Sequence, residues 1–166
     1  MINQQALSAL QALTAGNATV TLSNDKRHFT FKFKRAKAKP LAPYSDHRGR
    51  FFGSHGLSFG APLPPPIFVS VKSGHSMDYA GIVASDRFGN TTIKRTAKSR
   101  VDINDVQFRA LNWMIDQLQR GGEAALSKHG FRLQWSNCCV KCGRKLTQPS
   151  SIDSRIGPEC AKHFSF

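Results

Sequence analysis

The C-terminal stretch Cys139-Val-Lys-Cys142-Gly143, followed by Gly157-Pro158-Glu-Cys160 and His163, constrains this chain more than any other part of it. Two cysteines separated by two residues and followed by glycine form a tight knuckle that lets two thiolates meet one tetrahedral ion. A proline fixes φ at the first position of a helix, so the spacing predicts a helix opening at Pro158. Cys160 then stands in its first turn, where free N–H groups and the helix dipole favour a thiolate. His163 follows one turn later on the same face. Cys139, Cys142, Cys160 and His163 are therefore the expected ligands of a Zn²⁺ ion, in the treble-clef order of knuckle, hairpin and helix start. Cys138 competes with His163 for the fourth position, although adjacent residues rarely reach one metal together; otherwise it is a small buried hydrophobe.

The alternative for these cysteines is a disulfide or an unmetallated cluster. No apolar run approaches the roughly 20 residues of a spanning helix, and the opening residues lack the basic n-region and long apolar stretch of a signal peptide. A cytoplasmic protein without a membrane partner is expected, and in that compartment thiols stay reduced unless bound to metal or catalytic. The tail also has too few large apolar residues to fold without a staple.

Upstream, MINQQALSALQALTAGN reads as a short amphipathic helix with Ala6, Leu10 and Leu13 near one face. ATVTLS and HFTFKFKR read as a hairpin turning at Ser23 to Lys26, and the second strand alternates. Phe29, Phe31 and Phe33 point to the core; His28, Thr30, Lys32 and Lys34 point away from it. Residues 36 to 66, rich in Pro, Gly, Ser and basic side chains, read as a mobile surface insertion. IFVSVK, MDYAGIVAS and TTIKRT add three strands. Asp102 is the expected N-cap of a helix whose apolar face carries Phe108, Leu111, Met114, Ile115 and Leu118. Gly121-Gly122 ends it, a shorter helix runs to Gly130, and FRLQW leads as a last strand into the cysteines. The fold class is α+β: a mostly antiparallel sheet, one main packed helix and a zinc module. The expected domains are residues 1–135 and 136–166.

The tail resembles a C-terminal module of bacteriophage, actinobacterial and plasmid proteins to which no activity is assigned. Its pattern, CxxCGRxLTxPxSIxxxIGPxC, is met here by Cys139, Cys142, Gly143, Arg144, Leu146, Thr147, Pro149, Ser151, Ile152, Ile156, Gly157, Pro158 and Cys160. FVSVKSGHSMDYAGIV and the KSR at 98 to 100 are similar to upstream parts of the same family. The resemblance implies the zinc-binding fold and a phage or mobile-element origin. Two departures are the length of the 36–66 insertion and the Ser136-Asn137-Cys138 that stands where relatives often carry a histidine.

Charge bounds the partner. Lys and Arg number 24 against 10 Asp and Glu, a net +14. A compact chain repels itself at such a charge, so a polyanionic partner is expected, nucleic acid first. Nine Lys or Arg against two Asp lie between Asp25 and Arg50. Lys94, Arg95, Lys98 and Arg100 form a second group; Lys141, Arg144, Lys145 and Arg155 form a third around the knuckle. The expected phosphate contacts are Lys32, Lys34, Arg35, Lys37, Lys39, Arg48, Arg50, Lys94, Arg95, Lys141 and Lys145. Phe52 stands beside arginines, where a ring can stack on an unpaired base. Some treble-clef proteins are nucleases that present a histidine base in the hairpin and bind Mg²⁺ through a later histidine or asparagine, and residues 143 to 159 contain neither residue type. A non-enzymatic protein is expected, binding DNA or RNA with little base specificity and a lean toward single strands. The alternative is a zinc-containing adaptor or inhibitor that docks an acidic host protein.

Overall fold

Alternation decides the first hairpin. In the computed structural model, which describes residues 7–37, 65–86 and 88–163, β1 (Asn17–Ser23) buries Ala18, Val20 and Leu22, and β2 (His28–Arg35) buries Phe31 and Phe33. A period of two puts these on one face, and apolar packing holds the register. The turn is closed by Asn24, whose Oδ1 accepts the N–H groups of Lys26 at 3.0 Å and Arg27 at 2.7 Å. The bulk of the expected 36–66 insertion lies outside the described residues.

β3 (Ile67–Ser73), β4 (Ser76–Ser85) and β5 (Thr91–Lys94) extend the sheet from β2, and β6 (Arg132–Trp135) pairs with the free edge of β1. The result is a six-stranded antiparallel sheet in the order β5-β4-β3-β2-β1-β6. The register of the β3–β4 pair shifts between Val69 and Ser70. Gly81 stands directly against β5: a Cβ there would collide with the Lys94 carbonyl.

Two helices cover one face of the sheet. α1 (Ala9–Thr14) opens with a capping box in which the Ser8 and Gln11 side chains each accept the other's backbone N–H. Its buried side is Ala9, Ala12 and Leu13, with Leu7 just before it. Of the expected Ala6–Leu10–Leu13 stripe, Leu13 is buried and Leu10 is half-buried against the same cluster, while Ala6 lies outside the described residues. α2 (Val106–Lys128) buries Phe108, Leu111, Met114, Ile115 and Leu118 as the 3.6-residue period predicts, and Leu126 beyond. Each such side chain contributes about 1.5–3 kcal/mol by leaving water.

The cap of α2 is corrected. Asp105, not Asp102, is the N-cap residue. The two aspartates instead close a turn, with the Asp102 N–H donating to Asp105 Oδ2 at 2.9 Å and the Asp105 N–H to the Asp102 carbonyl at 3.2 Å. Gly121 and Gly122 break the helical path as expected; Gly122 has φ 63° and ψ −154°, a combination only glycine takes readily. Among the described residues no helix is long and apolar enough to cross a membrane.

Candidate metal centre and the basic sheet face

The knuckle is built by backbone. The Gly143 N–H donates to the Cys139 carbonyl at 2.8 Å, and the Cys139 N–H to the Arg144 carbonyl at 2.8 Å. Gly143 has φ 78°, the left-handed turn that folds Cys142 back toward Cys139. A bridge between Cys138 and Lys145 closes the hairpin behind it. α3 (Pro149–Ser154) follows, then α4 (Pro158–Ala161), which starts at the proline and carries Cys160 in its first turn as predicted. Sequence reading missed α3; Pro149 at its first position was the available signal.

Cys139, Cys142 and Cys160 form a group able to hold a metal ion, their sulfur atoms lying within 4.8 Å of one another. Thiolates about 2.3 Å from a shared ion stand roughly 4 Å apart, so the donor set fits. Burial pushes the Cys139 thiol up, but the backbone N–H groups of Gly157, Cys142 and Lys141, with a hydrogen bond from Cys142, outweigh it and hold the thiol below its ordinary value. Cys160 is pushed up to about 12 by burial, then by hydrogen bonding and charge from Cys142 and Cys139. Three thiols this close are an unfavourable set of anions unless a cation joins them. His163 is exposed at the end of the module; its carbonyl accepts Lys141 Nζ at 2.8 Å, and its ring is not among the atoms of the sulfur group.

The module is joined to the sheet at three points. Asn17, the first residue of β1, donates from its backbone N–H to the Val140 carbonyl and from Nδ2 to the Lys141 carbonyl, both at 2.6 Å. Within the module, the carbonyl of Arg155, at the left-handed end of α3, accepts the Val140 N–H at 3.0 Å. The Arg155 guanidinium lies over the Trp135 ring and reaches Glu123 at 2.6 Å and the Leu7 carbonyl at 3.2 Å. Cys139, Val140, Leu146 and Ile156 belong to the same buried cluster as the residues of α2 and β1.

The face of the sheet turned away from α1 and α2 gathers much of the predicted basic surface. Lys32, Lys34 and Lys94 are exposed on it, and Arg95 is exposed just beyond β5. Arg35 is half-buried, with its guanidinium donating to the carbonyls of Thr14 at 2.7 Å and Pro65 at 3.3 Å. Lys37 is exposed after β2. Lys145 is exposed and Lys141 half-buried in the knuckle, whose Gly143 faces the Asn17 side chain. Lys39, Arg48, Arg50 and Phe52 lie outside the described residues. Arg155 is turned inward, so the third basic group has fewer outward cations than its sequence suggests. Phe68 and Tyr79, absent from the expected contacts, stand on the same outer face.

Residues 134–165 match a family of unknown function, DUF6011. The DUF6011 match spans the end of β6, the three thiols, α3 and α4, and leaves the rest of the sheet outside it. No curated protein and no solved structure matches the chain.

Proposed function

We propose that this chain is a nucleic-acid-binding protein that contacts phosphates with little sequence specificity and whose C-terminal module is held by a structural Zn²⁺ ion. The observation that carries the reading is the alignment of Lys34 and Lys94 in one cross-strand row of an outer face that belongs to a chain of net +14. A rigid sheet displaying cations suits a polyanion, because each neutralised phosphate releases a counterion.

Zinc is the metal that suits closely set thiolates on a knuckle and a helix start. For the fourth ligand, His163 is favoured over Cys138. Adjacent residues rarely reach one metal together, and Cys138 is not part of the sulfur group that Cys139, Cys142 and Cys160 form. A closed site of this kind is structural rather than hydrolytic. The carboxylates nearest to basic groups also have structural partners: Asp116 on Arg120, Glu123 on Arg155 and Glu159 on Lys162. The resemblance of the tail to phage and plasmid sequences supports a mobile-element origin.

The test is equilibrium binding of the purified protein to single-stranded DNA, RNA, duplex DNA and a polyglutamate control over a range of salt. Affinity for nucleic acid should fall steeply with salt and vary little with base sequence. Binding to none of them at low salt overturns the reading, and tight binding to acidic protein alone replaces it with an adaptor.

A further inference from the structure

Strand pairing sets up one row across the outer face: Asn17, Lys34, Phe68, Ile82 and Lys94 are consecutive cross-strand partners from β1 to β5. Phe68 at its centre is 40 % exposed, although large apolar rings ordinarily lie inside. Tyr79 lies on the diagonal from it, with ring centroids 6.0 Å apart and planes at 70°. The tyrosine is held in place by two neighbours. Its hydroxyl pairs with Thr96 Oγ1 at 3.3 Å, and its carbonyl accepts the Arg100 N–H at 2.9 Å.

We propose that the outer sheet face is a base-stacking platform for single-stranded nucleic acid, centred on Phe68 and Tyr79 and bracketed by Lys34 and Lys94. The proposal rests on the nucleic-acid reading above and deepens it. Adjacent strands lie about 4.8 Å apart, so the two lysines stand roughly 14 Å from one another with the aromatic pair between them. Lys32 and Lys72 occupy further exposed positions on the same face. Among the described residues, the outward positions of the six strands carry no carboxylate; Asp78, opposite the buried Val71, points the other way. Such a face repels acidic partners nowhere, and its rings offer π-surfaces to any unpaired base. In a duplex the base faces are already stacked, so the rings gain nothing there.

The experiment is fluorescence anisotropy with labelled oligothymidylate, oligouridylate and a hairpin duplex of equal charge. Phe68→Ala and Tyr79→Ala should each weaken single-strand binding about five-fold or more, while changing duplex binding less than about two-fold. Phe68→Tyr, which keeps a ring, should retain most of the affinity. The thymidylate and uridylate arms show whether the platform takes DNA, RNA or both. Photocrosslinking the unaltered protein to an oligonucleotide carrying 5-iodouracil gives an answer independent of how the variants fold: adducts should fall on Phe68 or Tyr79. Single-strand binding that survives loss of both rings, or adducts confined to other segments, overturns the platform and leaves the phosphate reading standing. If the unaltered protein binds no nucleic acid at all, the phosphate reading itself fails.

Discussion

The Arg155 guanidinium lies 4.3 Å from the centroid of the Trp135 ring, joining the C-terminal module to the last strand of the sheet. The same group reaches Glu123 beyond the Gly121–Gly122 break. Its side chain is 20 % exposed and that of Glu123 41 %, so the ion pair is partly screened, and the ring contact and the bond to the Leu7 carbonyl add to it. Removing a cation–π contact together with a partly exposed charged hydrogen bond costs about 2 kcal/mol. For a chain of this size that is a fall in Tm of roughly 4–8 °C for Arg155→Ala. Arg155→Gly loses the same contacts but relieves a left-handed residue at φ 62°, so calorimetry should show a smaller fall for glycine than for alanine.

Metal content is the second expectation. Natively purified protein should carry about one zinc per chain by elemental analysis, and Cys139→Ser, Cys142→Ser or Cys160→Ser should each release it. His163→Ala should weaken zinc more than Cys138→Ser; the reverse order would move the fourth ligand to Cys138. Chelation should loosen the module first, raising amide exchange at Val140 and Leu146.

The turn between β4 and β5 should respond to acid. Asp86 accepts the Asn90 side-chain amide at 2.9 Å, the Asn90 N–H at 2.9 Å and the Phe88 N–H at 2.8 Å, and these bonds hold its carboxyl below the ordinary 3.8. A depressed carboxylate stabilises the fold at pH above its unfolded value and loses that contribution as pH falls through the folded one. NMR titration should therefore show the Asn90 amide shifting with a midpoint below the ordinary 3.8, and the shift should be abolished in Asp86→Asn. A midpoint above that value would mean the turn bonds do not favour the ionised form.

Much of this architecture is legible in the chain because burial imposes periods. Phe31 and Phe33 alternate with Lys32 and Lys34, and Leu111, Met114, Ile115 and Leu118 follow a helical turn. Caps were less decisive: Asp102 and Asp105 both suit an N-cap, and only the turn between them shows which one begins the helix. Arg155 counts as a surface cation by composition, since nothing local marks a left-handed residue folded back on Trp135. The outer aromatic pair could have been found. In IFVSVK, Ile67, Val69 and Val71 alternate with Phe68, Ser70 and Lys72, which already places Phe68 beside the lysine face.

The salt dependence of single-strand affinity, compared between the unaltered protein and Lys32→Glu with Lys34→Glu, tests the central claim most directly. Both side chains are exposed and clear of the buried cluster, so the double variant should keep its Tm and its zinc. Each phosphate contact contributes about 0.7 to the slope of log affinity against log salt on single strands. The charge reversal should therefore weaken binding about ten-fold or more and flatten the slope by roughly one unit or more. An unchanged slope and affinity in the folded, zinc-loaded variant would contradict the assignment of this face to phosphate binding.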